Sequence, residues 1–204
     1  MQNKFVFGIT GGSGSGKTTE SNLFRAFGAE VIDCDVLSRE ITVPGSSCLS
    51  EIVNEFGLAI LMPDGSLNRR SLGKIVFENK DKLKILSKIT HKYIYERVCL
   101  MIKSSSNDII GIDGAVIIGS EVESLCECMV CVIANDEIRK KRIMQRDNIS
   151  EQTAEERLYS QKSNNFYIEN SDYIVYNDTD EKELQIHAKE VFEKLTERKE
   201  ERKR

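Results

Sequence analysis

The sequence predicts an α/β domain: a parallel-sheet core with helices on both faces, a helical insertion and a lid. Short apolar runs alternate with helical patterns, and two connections are too long to be simple crossovers. The runs Phe5–Thr10, Glu30–Asp33, Asp108–Asp113, Met129–Ala134 and Tyr173–Tyr176 each end near a polar residue or glycine, the mark of strands buried on both faces. Strand–helix–strand alternation implies right-handed crossovers and parallel pairing.

Composition bounds the rest. A chain of 204 residues suffices for one such domain with insertions and scarcely for two. Its 29 Lys and Arg against 33 Asp and Glu give a net charge of −4, which disfavours polyanion binding by the whole protein. No apolar run approaches the roughly 18 residues of a membrane span, and the stretch before the first glycines is too short for a signal peptide. The expectation is a cytoplasmic protein without membrane or nucleic-acid partners.

The first strand runs into Gly11-Gly-Ser-Gly-Ser-Gly16-Lys17-Thr18, which fills every specified position of G-x-x-x-x-G-K-[ST]. Glycines let backbone N–H groups converge on phosphate oxygens, and the helix amino terminus that follows adds positive dipole. Gly12, Ser13, Gly14, Ser15, Gly16, Lys17, Thr18 and Thr19 are therefore the expected set for binding a nucleotide triphosphate. Lys17 should reach the β- and γ-phosphates, and the Thr18 hydroxyl should ligate Mg²⁺. A flexible Gly/Ser turn is the alternative, but chance makes the full match improbable. No guanine-reading run is found: Asn79-Lys-Asp-Lys82 puts lysine where the aspartate belongs. The next helix, Thr19–Phe27, places Leu23, Phe24 and Phe27 on one face and stops at Gly28.

Asp33 and Asp35 follow the second strand, and a spacing of two sends both carboxylates to one side if the strand continues. The carboxyl end of a strand beside the first is where doubly wound sheets bind ligands, so Asp33 is a candidate to orient or deprotonate an attacking hydroxyl. The alternative is a cap on a helix beginning at Val36, a role that would suit Asp35. From Val36 to Asn107 the chain is mostly helical: Ser47–Phe56 closing on Gly57, a turn at Pro63-Asp-Gly65, then helices over Arg69–Glu78 and Asp81–Lys103. We read this insertion as a subdomain that grips the substrate. Asp113 ends the third strand where a Walker B acid would stand near Mg²⁺, or else serves a turn with Gly114.

The cysteines of Cys126-Glu-Cys-Met-Val-Cys131 lack the paired spacings of a zinc site, and Cys131 lies in an apolar run. Core packing is the expected role. The second long connection, Asp136–Asn165, should hold two charged helices, the second started by Ser150 with Glu151 in its first turn, and we read it as a mobile lid. Arg139, Arg142 and Arg146 share a helical face that could close over phosphates. A solvated surface remains open for Arg139, Lys140 and Lys141, and the same basic run could be a nucleic-acid patch. The last helix begins near Asp180 and ends in the mixed-charge run to Arg204.

Taken in order, these motifs resemble the dephospho-coenzyme A kinase family. The matching runs are Gly8–Thr19, Val31–Asp35, Gly65–Leu72 with Ile75-Val-Phe77, Arg142–Asp147, Arg157–Gln161 and Ser171–Asn177, covering about residues 5–180. The resemblance implies a single P-loop NTPase domain with its core at about 1–35, 108–135 and 166–204, a coenzyme-A-binding helical subdomain at about 36–107, and a lid at about 136–165. It further implies transfer of the ATP γ-phosphoryl group to the ribose 3′-hydroxyl of dephospho-coenzyme A. Asp33 would act on that hydroxyl, with Asp35 and Arg69 on the substrate side, Arg142 and Arg146 in the lid, and Asn177 near the adenine. ATP, dephospho-coenzyme A and Mg²⁺ are the expected small-molecule partners, and a monomer the expected state. Two departures stand out: the family usually has His-Pro at His91-Lys92, and a proline and a glutamate within Asp113–Gly119. Another nucleoside or nucleotide kinase of the same fold is the competing enzyme, and a regulatory nucleic-acid-binding protein using Arg139–Arg146 the competing non-enzyme.

Overall fold

Phe5–Thr10 (β1), Glu30–Asp33 (β2), Ile109–Asp113 (β3), Cys128–Ile133 (β4) and Tyr173–Tyr176 (β5) form one sheet in the order β2–β3–β1–β4–β5. The computed structural model describes residues 4–115 and 117–202. Val116, within the Asp113–Gly119 departure, and the last residues of the basic tail lie outside them. Pairing is parallel, with Phe5 opposite Ile109, Phe7 opposite Cys128 and Val130 opposite Tyr173. β3 and β4 each differ by one residue from the runs read in the sequence.

Alternation along β1 sends Phe5, Phe7 and Ile9 to one face. There they pack with Phe24 of α1 (Lys17–Ala26) and with Leu184, Val191 and Leu195 of the carboxyl-terminal helix Glu181–Glu201. Phe7 and Phe24 meet edge to face, centroids 5.3 Å apart. α1 ends as predicted: Gly28 takes φ +108°, a conformation that would strain any side chain.

One compact unit holds the chain up to Ile32 and again from Ser104; Asp33–Lys103 forms the other. The second contains α2 (Cys34–Glu40), α3 (Ser47–Phe56), α4 (Arg69–Phe77) and most of α5 (Lys80–Ser104). Its own core gathers Cys48, Ile52, Ile60, Leu72, Val76 and Ile89. Gly65 N–H donates to the Met62 carbonyl at 2.9 Å, closing the turn read at Pro63-Asp-Gly65. In the first unit, the segment after β4 forms α6 (Asp136–Asp147), α7 (Glu151–Tyr159) and α8 (Asn164–Glu169), where the sequence suggested two helices. The additional helix is a six-residue turn and a half, too short for a periodic signal, and the Ser163 hydroxyl caps it by accepting from Phe166 N–H. α9 is Glu181–Glu201, begun by Asp180 as read. Cys128 and Cys131 are packed inside β4, and burial pushes the Cys128 thiol up to about 12.

Candidate active site

The glycine-rich loop joins β1 to α1, so its backbone ends on the first turn of a helix. Gly16 has φ +99°, and a Cβ there would overlap the Asn177 amide. That amide donates from Nδ2 to the Ser15 carbonyl at 2.7 Å, while Oδ1 accepts from Arg142 Nη2 at 3.2 Å. Arg142 Nη1 lies 3.4 Å from the Gly14 carbonyl and 3.5 Å from that of Ser15. Asn177 follows β5 and is held by its own N–H on the Ile133 carbonyl. Its side chain thus braces the phosphate loop, a contact the sequence did not signal.

Lys17 and Asp113 come together. Lys17 Nζ donates to Asp113 Oδ1 at 2.8 Å, and Ser21 Oγ donates to Oδ2 at 2.7 Å. The side chains are 14 % and 7 % exposed, so the pair is largely withdrawn from water. β3 lies directly beside β1 and the Gly114 N–H pairs with the Ile9 carbonyl, which sets Asp113 at the loop. Ser21 was missed in the sequence; its spacing of four from Lys17, on the face of Phe24, was the available signal. Thr18 is exposed on the first turn of α1, and among the described residues its hydroxyl makes no hydrogen bond. The Thr18 hydroxyl and the Asp113 carboxylate are hard oxygen donors of the kind Mg²⁺ takes, so their chemistry fits the ion, with Asp113 already engaged by Lys17 and Ser21.

Asp33 ends β2 and caps α2, its Oδ1 accepting from the N–H groups of Asp35 (2.8 Å) and Val36 (3.0 Å). Two expectations are corrected here. The helix starts at Cys34 and its cap is Asp33, not Asp35. The strand stops at Asp33, so two-residue alternation does not carry Asp35 to the same side; Asp35 lies in the first turn of α2. Arg69 opens α4 and donates from Nη2 to Thr42 Oγ1 at 2.7 Å, within the second unit.

The solvated-surface alternative also fails for part of α6. Arg139 is only 2 % exposed, and Lys140 is buried among Glu137, Glu151 and Glu155, three carboxylates that hold its ammonium charged and tie α6 to α7. Lys141 is exposed as that alternative had it. Arg146 donates from Nη2 to Ser13 Oγ at 3.2 Å and pairs with Asp147, whose carboxyl it holds below the usual range. Asp147 also pairs with Arg157. On α1, Glu20 is fully buried with no partner for either oxygen among the described residues, and burial pushes its carboxyl up to about 8.

Residues 5–183 match the model of the Dephospho-CoA kinase family. A dephospho-CoA kinase of Bacillus cereus is 34 % identical over 177 residues, covering 85 % of this chain and 88 % of the relative. A solved dephospho-CoA kinase from Campylobacter jejuni superposes with TM-score 0.64 at 26 % identity, over 94 % of this chain and 97 % of its own. A Thermus thermophilus crystal structure shares the fold more closely, with TM-score 0.82 at 23 % identity over 93 % and 96 % of the two chains.

Proposed function

The chain belongs to the dephospho-CoA kinase family, and from that premise we propose that this ATP-dependent kinase phosphorylates an alcohol, the ribose 3′-hydroxyl of dephospho-coenzyme A. The observation that carries the reading is the convergence on one phosphate loop of Lys17, paired to Asp113, and of Arg142 and Arg146. Cationic groups so placed stabilise charge on a γ-phosphoryl group in a loose transition state.

In the proposed reaction the acceptor oxygen bonds to the γ-phosphorus as the bond to the β–γ bridging oxygen breaks. The electron pair leaves with ADP. The hydroxyl proton passes to Asp33, whose Oδ2 accepts no hydrogen bond among the described residues while Oδ1 serves the cap. Lys17 neutralises the β- and γ-phosphates; Arg142 and Arg146 meet the transferring group. Gly12 to Thr19 supply the remaining phosphate contacts, with Asn177 on the nucleotide side. Mg²⁺ would be held by Thr18 directly and by Asp113 through water, and would screen phosphate charge.

We assign residues 36–107 to the acceptor, with Asp35 and Arg69 among its contacts, and 136–165 to the lid. An acceptor as long as dephospho-coenzyme A needs a surface for its arm, and remote contacts position a hydroxyl. We take the protein to act as a cytoplasmic monomer on small-molecule substrates. No helix among the described residues is long and apolar enough to cross a membrane. The basic face of α6 is committed to the loop, which leaves little for nucleic acid.

A coupled assay with ATP and Mg²⁺ tests the reading. Dephospho-coenzyme A should be phosphorylated efficiently, AMP poorly, and magnetic resonance should place the new phosphate on the 3′ oxygen. Equal turnover with AMP would replace this reading with that of a simpler nucleotide kinase.

A further inference from the structure

Ser13 has three polar groups, and side chains of the segment after β4 hold all of them. Its N–H donates to Gln161 Oε1 at 2.8 Å, its carbonyl accepts from Arg139 Nε at 3.0 Å, and its hydroxyl accepts from Arg146 Nη2. Arg139 and Gln161 also join each other, Nη2 to Oε1 at 3.2 Å. The guanidinium is fixed on its far side by Asp136 at 2.9 Å and Asn164 at 3.2 Å, and Asn164 in turn donates to the Ala134 carbonyl at 3.0 Å. A Cβ on Gly12 would overlap that guanidinium, and one on Gly14 would stand 2.7 Å from the Arg139 carbonyl. The glycines therefore admit α6 against the loop as well as admitting a ligand.

We infer that Arg139 and Gln161 are positioning residues, a clamp that holds Ser13 and thereby sets the loop in its phosphate-receiving shape. Neither residue needs to touch the nucleotide. A loop shaped before binding does not spend binding energy on being ordered, so nucleotide affinity registers the clamp. The first turns of α6 then stay with the core, and any lid motion belongs to the part of the segment beyond Arg139 and before Gln161.

The inference rests on ATP binding at this loop, and direct titration of the whole protein with MgATP tests it. Gln161→Leu removes the acceptor while keeping the volume; Arg139→Lys keeps the charge but cannot serve Ser13 and Gln161 together. Each should weaken MgATP binding about three- to tenfold, the worth of one or two hydrogen bonds. The acceptor KM should stay within about twofold, since the clamp acts on the loop. Unchanged MgATP affinity in folded Gln161→Leu overturns the clamp, as does an equal rise in both constants. Should Arg139→Lys fail to fold, Gln161→Leu decides, because its half-exposed site tolerates the change. Wild-type protein that binds no MgATP would instead overturn the kinase reading, so the two failures are distinct.

Discussion

Lys17 Nζ stands 2.8 Å from Asp113 Oδ1, and the other carboxylate oxygen is held by Ser21. The lysine of the phosphate loop is thus stored against an acid on the neighbouring strand. It has a structural partner besides the phosphates proposed for it.

Lys17→Ala should therefore lose most turnover and also stability, by about 2–4 kcal/mol, because it strands a mostly buried carboxylate. Adding Asp113→Asn removes that unpaired charge. Chemical denaturation should show the double variant regaining much of the loss while its turnover stays near zero. A single variant as stable as wild type would mean the pair contributes nothing to folding.

Asp33 combines a cap with the proposed proton acceptor, and two substitutions separate the roles. Asp33→Asn keeps an oxygen for the Asp35 and Val36 N–H groups, so its unfolding midpoint should hardly move. Its kcat should fall about 10²–10⁴-fold with ATP affinity retained. Asp33→Ala should show the same kinetic loss and, in addition, about 1 kcal/mol of destabilisation from the lost cap. Full activity in the Asn variant would remove the carboxylate from the mechanism.

Arg142→Lys keeps the charge and loses the fork that spans the loop carbonyls and Asn177. Turnover should drop about 10- to 100-fold, more than MgATP affinity does. Arg146→Lys should follow the same pattern. Steady-state kinetics beside nucleotide titration separate this from a loss of binding alone.

Glu20 makes a pH prediction. Its folded pKa of about 8 lies above the ordinary value of 4.5 because burial disfavours the anion. The folded state keeps the proton while the unfolded state releases it, so stability is fully present below 4.5 and is lost as pH rises toward 8. The contribution falls by about 1.4 kcal/mol per pH unit through that window and levels off above it. Glu20→Gln carries no such proton. In urea unfolding at several pH values, wild type should lose stability relative to the variant with that slope as pH rises; a pH-independent difference would place the Glu20 carboxyl in water.

Much of the fold could be read from the chain. β1, β2 and β5 coincide with the runs read as strands, and α3 runs from Ser47 to Phe56 as its periodicity and Gly57 require. These are local signals: strand burial, caps and glycine stops depend on neighbours a few residues away. The phosphate loop was equally legible, since its chemistry needs fixed residue types at fixed spacing. Side-chain partners over long separations were not. A solvated surface stayed open for Arg139 and Lys140 because a basic run carries no mark of the carboxylates and carbonyls that meet it. Asp33 rather than Asp35 became the cap because the helix began two residues earlier than its apolar pattern. α8 was too short to show a period.

Sequence by itself determined the alternation of elements, the phosphate-binding loop and the family, because each rests on residue identity within a short window or on the order of such windows. Only the tertiary structure decided that Lys17 is stored on Asp113, that Asn177 braces Ser15, and that Arg139 and Gln161 hold Ser13. Those contacts join residues 96 to 162 positions apart in the chain. The order of the strands brings them together, and their hydrogen bonds gain strength only once packing has excluded water around them.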